Sequence, residues 1–404
     1  MIPFAPPRID QKIIDAVTEV LRSGWITTGP KTKLFEKQIN TYCGSKTTVA
    51  LNSATAGLEL VLRWFGVKNG DEVILPAYTY AATANVIVHC GGKPVFVDVN
   101  PDDFNISAEK IRKAINSSTK VIMPVDFGGM PCDYDVINAM VMEQSVKELF
   151  SPVNDLQKKL GRILVLSDAA HSLGGLAQKK RTGSLTDISV FSFHTVKNLS
   201  TAEGGAVCFS LPDNFDHDEI YKEFCLLSLH GQNKDALSKL EKGNWKYDIV
   251  TAGFKCNMTD IAAAMGLVEL ERYETDTLVK RKKICDAYMA GFRTKPWAQL
   301  PLFTDSKRNS SCHLFPLRIL NINATVRDRI IADIFAGDVS VNVHFIPVPS
   351  TTFYKNMGYS ELNYPVALDN YSRVITLPVF YDLTDEMIAE VIRVVTEAVE
   401  KNIK

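Results

Sequence analysis

Lys197 is the residue around which a chemistry can be built. It closes the segment Ser192-Phe193-His194-Thr195-Val196-Lys197-Asn198, which follows the apolar run Ile188-Ser189-Val190-Phe191. A second apolar run, Ile163-Leu164-Val165-Leu166, ends in Ser167-Asp168-Ala169-Ala170-His171. A third, Val49-Ala50-Leu51, leads through Asn52-Ser53-Ala54-Thr55 into a helical pattern, and Tyr80 follows the run Glu72-Val73-Ile74-Leu75-Pro76. An amine, a carboxylate, a hydroxyl-bearing turn before a helix and an aromatic face are the four parts needed to hold pyridoxal phosphate (PLP). The amine bonds the cofactor's carbonyl carbon. The carboxylate keeps the pyridine nitrogen protonated, which makes the ring an electron sink. Small and hydroxyl residues at a helix N-terminus take the phosphate, and an aromatic ring covers the cofactor's face. On this reading Lys197 is the amine and Asp168 the carboxylate. Ser53, Ala54, Thr55 and Ser192 form the cradle, and Tyr80 stacks.

Each part has a plainer explanation by itself. A lysine after a strand is usually solvated, and an aspartate there is often a helix cap. Ser-Ala-Thr before a helix reads first as an N-cap. Tyr80 alone reads as core packing, and His171 as a structural histidine satisfied by its neighbours. The joint arrangement, in this order, favours the cofactor site.

The elements that position these residues are short β-branched runs alternating with helical patterns. Continuous apolar runs of this kind predict a mostly parallel sheet buried on both faces. The reading is an α/β domain over roughly residues 20–270, with the ligand beyond the carboxyl ends of the strands. Residues 143–160 are helix-rich and charged and read as a surface excursion. Thr259-Asp260 caps a helix over 261–272, and a second helical pattern over 276–292 leads out of the domain. The remainder reads as a smaller α+β domain, with strands at 315–320 and 339–345, a helix around 327–335 and a terminal helix from Thr384.

Composition narrows the class. The chain has 404 residues, 46% apolar and 23% charged, with a net charge of −1. That is an ordinary globular profile, without the basic face of a nucleic-acid binder. No apolar run reaches the ~18 residues of a membrane span. The N-terminus has no signal-peptide pattern, so a cytoplasmic enzyme is expected. The eight cysteines form no C-x-x-C pair and read as reduced thiols. No H-E-x-x-H, P-loop or post-strand G-x-G-x-x-G is present, which disfavours a metal hydrolase, a nucleotide hydrolase and a Rossmann oxidoreductase.

Longer segments extend the pattern. They are Ser23-Gly24-Trp25-Ile26-Thr27-Thr28-Gly29-Pro30, Asn52-Ser53-Ala54-Thr55-Ala56-Gly57-Leu58 and Pro76-Ala77-Tyr78-Thr79-Tyr80-Ala81-Ala82-Thr83. Asp168-Ala169-Ala170-His171, the Lys197 segment, Ala202-Glu203-Gly204-Gly205, Gly253-Phe254-Lys255-Cys256-Asn257-Met258-Thr259-Asp260, His344-Phe345 and Leu377-Pro378 complete the set. Together they resemble the DegT/StrS family of sugar aminotransferases among the fold-type I PLP enzymes. The likeness runs from about Pro6 to the last helix and is closest in kind to the UDP-4-amino-4-deoxy-L-arabinose aminotransferases.

The resemblance implies an aspartate-aminotransferase-like α/β fold, with a mostly parallel seven-stranded sheet in the large domain and a smaller C-terminal α+β domain. The implied division is an arm over 1–20, a PLP domain over 21–272 and a small domain over 273–404. It implies that Lys197 bonds the cofactor and later shuttles a proton, and that Asp168 partners the pyridine nitrogen. His171 would lie near the cofactor's 3-hydroxyl, with Ala54, Thr55 and Ser192 on the phosphate. Tyr80 stands where many relatives carry Phe or Trp. His344 and the Gly29 loop would face substrate. The implied assembly is a homodimer with shared sites, Asn257 or Lys255 reaching into the neighbour. The implied reaction moves an amino group from an amino acid such as glutamate to a keto sugar nucleotide, for instance a UDP-4-keto-6-deoxy-hexose. Its setting would be cell-surface polysaccharide or lipopolysaccharide precursor synthesis. A dehydratase or aromatic amine synthase of the same family, and a non-catalytic PLP-binding regulator, remain alternatives. The 3-dehydrases of the family replace the lysine by His, so Lys197 favours amination.

Overall fold

The computed structural model describes residues 1–233 and 246–403. Seven strands form the main sheet: β1 (Thr47–Leu51), β2 (Glu72–Pro76), β3 (Lys93–Val97), β4 (Thr119–Ile122), β5 (Leu164–Asp168), β6 (Ile188–Ser192) and β7 (Gly205–Phe209). Their spatial order is β1-β7-β6-β5-β4-β2-β3. Pairing is parallel from β3 through β6, and β7 is antiparallel to both its neighbours. The continuous apolar runs are explained by burial on both faces: Val73, Ile74, Leu75, Leu164, Val165 and Leu166 are all inaccessible to solvent.

A smaller antiparallel sheet follows, in the order β8 (Ala298–Gln299), β9 (Phe315–Ile319), β10 (Val374–Leu377). It packs with the helices Leu278–Phe292, Ala324–Ala336 and Asp385–Asn402 around a second core that includes Tyr288, Leu317, Ile330 and Val391. The first residues of the chain lie against this part. Ile2 donates its N–H to Asp338 at 2.7 Å and accepts from Ser340 at 3.0 Å. The helix Asp260–Glu271, capped by the Thr259 hydroxyl, passes through a π-helical turn, Tyr273–Thr277, into the helix Leu278–Phe292.

Two expectations need correction. The strand expected over 339–345 is only a pair of isolated bridges, Ile2 with Val339 and Asn342 with Thr376. The excursion at 143–160 forms two short helices, Gln144–Leu149 and Asp155–Leu160, and is not merely superficial. Val146 and Phe150 join the main core. Gln157 is fully buried, and its amide and that of Asn154 both donate to the Phe65 carbonyl, at 2.9 and 3.0 Å. The segment thus satisfies a carbonyl at the end of the helix Ala54–Trp64 that would otherwise be left unpaired.

Candidate active site

The carboxyl ends of β1, β2, β5 and β6 converge on one cleft of about 400 Å³. Ser53, Ala54, Thr55, Tyr80, Asp168, His171, Ser192, Lys197 and His344 all line it. The structure therefore brings together most of the residues singled out in the sequence. It adds Phe4 and His313, which the sequence did not point to, and Thr83, Glu203 and Phe345, which lie in the segments quoted above but had no role assigned. Gly29 and Asn257 are not among the lining residues.

The helix Ala54–Trp64 starts at the cleft because Ser53 caps it, accepting the Ala56 N–H at 3.1 Å. Its first N–H groups are left pointing at the cleft, as an anion requires. The cap lies directly on β7. A Cβ on Gly205 would stand 2.5 Å from both the Ala54 nitrogen and the Ser53 carbonyl carbon. Only glycine allows β7 to support the cradle this closely. Tyr80 stands at the mouth, largely exposed, with its ring 5.9 Å from that of Phe345. An exposed ring that lines the cleft suits a stacking residue.

Asp168 is 6% exposed. Its Oδ2 accepts the Thr83 hydroxyl at 2.8 Å, and Thr83 is itself linked to Thr79 at 2.8 Å. Its Oδ1 accepts a longer bond, 3.3 Å, from the Ala170 N–H. Burial raises its pKa, and its two hydrogen bonds and the Lys197 charge oppose that rise. No cation stands within ion-pair distance of it among the described residues. A buried carboxylate with spare acceptor capacity and no ion pair suits a protonated ring nitrogen. Burial in turn pulls the Lys197 amine down to about 8, against the pull of Asp168 in the other direction. An amine in that range is neutral often enough to act as a nucleophile.

His171 is buried, with its ring 5.9 Å from that of Phe345 and nearly parallel to it. The Gly128 N–H donates to its Nδ1 at 3.3 Å. Burial and the neighbouring Lys197 and His344 keep the ring neutral. A neutral ring that accepts at Nδ1 carries its proton on Nε2, and this N–H has no protein acceptor among the described residues. It is available to an oxygen in the cleft. His344 lies opposite, its carbonyl accepting from the Tyr78 hydroxyl at 2.6 Å and its ring stacked on Phe4 at 5.7 Å.

Gly29 and Asn257 belong to a different patch. Gly29 is buried and donates to Asp260 at 2.8 Å, and Asn257 donates to the Thr28 hydroxyl at 2.5 Å. Lys255, exposed, bonds the Asn257 amide oxygen.

This fold, with an amine, a carboxylate and a helix-capped anion cradle at the strand ends, defines a fold-type I PLP enzyme, and the side chains present fit that cofactor. Residues 7–396 match the DegT/DnrJ/EryC1/StrS aminotransferase family, and the chain belongs to that family. It is 35% identical to the spore coat polysaccharide biosynthesis protein SpsC of Bacillus subtilis, over 99% of this chain and 97% of that one. Among solved structures it resembles Spr1654 of Streptococcus pneumoniae, assigned as a sugar aminotransferase. The PMP form superposes with TM-score 0.95 at 44% identity, covering 99% of this chain and 100% of that one. The PLP form superposes with TM-score 0.95 at 42% identity, covering both chains completely. PseC of Helicobacter pylori, an aminotransferase of pseudoaminic acid biosynthesis, is 28% identical with TM-score 0.86, over 99% of each chain. PLP is thus the cofactor of this aminotransferase.

Proposed function

We propose that the protein transfers an amino group from an amino acid, glutamate first among candidates, to a keto sugar carried on a nucleotide. C4 of a UDP-linked 6-deoxy sugar is the favoured acceptor, and the product would enter cell-surface polysaccharide or lipopolysaccharide synthesis. The observation that carries this reading is the pairing, in one cleft, of the Lys197 amine, pulled down to about 8 by burial, with the cation-free carboxylate of Asp168. The sugar-acting relatives and the polysaccharide role of SpsC support the substrate class.

Bound there, PLP supplies an electrophilic carbonyl carbon and an electron-accepting ring. Asp168 would hold a proton on the ring nitrogen. Ser53, Ala54, Thr55 and Ser192 would hold the phosphate, and Tyr80 would cover the ring. The His171 Nε2–H would orient the 3-oxygen. With its amine free in the cleft, Lys197 Nζ would take the proton from the donor's α-carbon. In the second half-reaction the same amine returns a proton to the sugar carbon that becomes amine-bearing. Phe4 and His344 form the wall beside which the sugar would lie.

Among the described residues that line the cleft, Lys197 is the only lysine or arginine. Donor carboxylates and nucleotide phosphates need further cations. This supports a homodimer in which Lys255, Asn257 and the Gly29 loop of one subunit face the other's cleft.

The test is the visible spectrum of the protein with PLP, before and after glutamate, with Lys197→Ala alongside. The lysine-bound cofactor should give a visible band that glutamate bleaches, and the variant should lack that band. Keto sugar nucleotides should then restore it in the wild type. A band that no amino acid alters would point to the dehydratase or regulator. Failure to form any band would remove Lys197 from its role.

A further inference from the structure

The segment that leads into β9 crosses the cleft, and it carries His313. This histidine is 4% exposed and its ring lies 4.4 Å from that of His171. Its Nδ1 is 2.8 Å from Oδ1 of Asn198, the residue next to Lys197. The same amide donates from Nδ2 to the Ser311 carbonyl at 2.9 Å, which settles that its oxygen faces the ring. An oxygen acceptor there requires the proton on Nδ1. Burial, with the charges of Lys197 and Arg281 nearby, holds the ring neutral.

The segment itself is held on both sides. Buried Arg281 donates to the carbonyls of Cys312 and His313 at 3.0 and 2.7 Å. Ser311 donates its hydroxyl to the His171 carbonyl at 2.7 Å and its N–H to the Gly129 carbonyl at 3.0 Å. The Lys197 loop is otherwise held by the burial of Leu199 and Thr201 and by the Thr201 N–H, which donates to the Phe193 carbonyl at 2.8 Å. Residues 195–200 make a local turn, with Lys197 N–H donating to His194 at 2.8 Å. Among the described residues, Asn198 carries the side-chain hydrogen bonds that tie this stretch to a distant part of the fold. The Lys197 amine has no hydrogen bond or ion pair of its own among them, so its aim depends on its backbone.

We propose that the Asn198–His313 pair is a positioning device for Lys197. It fastens the residue beside the lysine to the strap from the smaller sheet and keeps the amine directed into the cleft when it is not bonded to the cofactor. The proposal rests on Lys197 being the cofactor lysine, which Lys197→Ala tests separately through loss of the visible band.

The experiment measures capture of PLP by the apoprotein from the growth of that band, together with kcat and KM for the glutamate half-reaction. His313→Asn keeps an amide N–H near the position of Nδ1. His313→Gln moves it away, and His313→Leu and Asn198→Leu remove the bond. Losing one such hydrogen bond should slow capture by about tenfold. We expect His313→Leu and Asn198→Leu to slow capture to that extent and to lower kcat with KM for glutamate unchanged. His313→Asn should stay near wild type. A His313→Leu protein that captures PLP at the wild-type rate overturns the proposal. If the leucine variants do not fold, equal impairment of His313→Asn and His313→Gln overturns it.

Discussion

Replacing Lys197 by Met should change how the stability of the apoprotein depends on pH. The amine's ordinary pKa of 10.5 falls to about 8 in the fold. A lysine lowered in this way favours unfolding while it is charged. Below pH 8 both states hold the proton and the penalty is fully present. Between about 8 and 10.5 the unfolded chain keeps a proton that the folded chain has released. Stability therefore rises with pH across that window. The drop from 10.5 to 8, at about 1.36 kcal/mol per pKa unit, sets an upper limit of about 3.4 kcal/mol. Lys197 is only partly buried by its side-chain exposure, so solvent screening reduces the expected gain to about 2 kcal/mol.

Urea unfolding of both apoproteins, at one fixed protein concentration from pH 7 to 10.5, measures this directly. Other groups titrate over the same range, but they do so in both proteins. Comparing each protein with itself across the window also cancels whatever Met does to packing. Wild type should gain about 2 kcal/mol more than the variant over this range. Parallel curves would show that the amine keeps its solution pKa, and the claim that burial readies it as a nucleophile would fail.

Two further outcomes follow from the supports of the site. Thr83→Val removes the 2.8 Å bond to Asp168, a loss of roughly 1.5–3 kcal/mol for a bond to a charged group; PLP affinity by equilibrium dialysis should fall at least about tenfold, with Thr83→Ser recovering most of it, and wild-type affinity in the valine variant would contradict this. Gly205→Ala places a methyl 2.5 Å from the backbone of Ser53 and Ala54, so the cradle must move. Thermal unfolding should report a loss of about 1–3 kcal/mol, together with weaker PLP retention, and an unchanged affinity would mean that β7 does not support the phosphate.

The parts legible in the sequence share one physical reason. Asp168, Ser192 and Lys197 each follow a buried apolar strand, and the carboxyl ends of such strands are where ligands collect. The mostly parallel sheet and the cap at Ser53 were legible for the same kind of reason, because apolar runs and an N-cap are local signals. Thr83 was harder. It lies just inside the helix Ala81–His89 and reads as one more small residue there. Its signal was the four-residue spacing from Thr79, which leaves two hydroxyls facing each other in a buried place.

His313 carried no such signal, because its importance comes from a contact 115 residues away, with Asn198. Only the docking of the smaller sheet against the larger one creates it. The same limit explains the misreading of residues 143–160. Charged residues on one side of short helices look like surface, whereas the buried work is done by Val146, Phe150 and two amides, among them that of Gln157, whose acceptor, the Phe65 carbonyl, lies 92 residues earlier. Gly29 and Asn257 sit at the far end of this scale. Their local contacts account for their own geometry, through Asp260 and Thr28. Any contact they make with a cleft must come from a second copy of the chain, so neither the local sequence nor the packing of one subunit can supply it. Each step outward, from strand end to helix turn to sheet docking, removes one more local signal, and the cleft depends on all three.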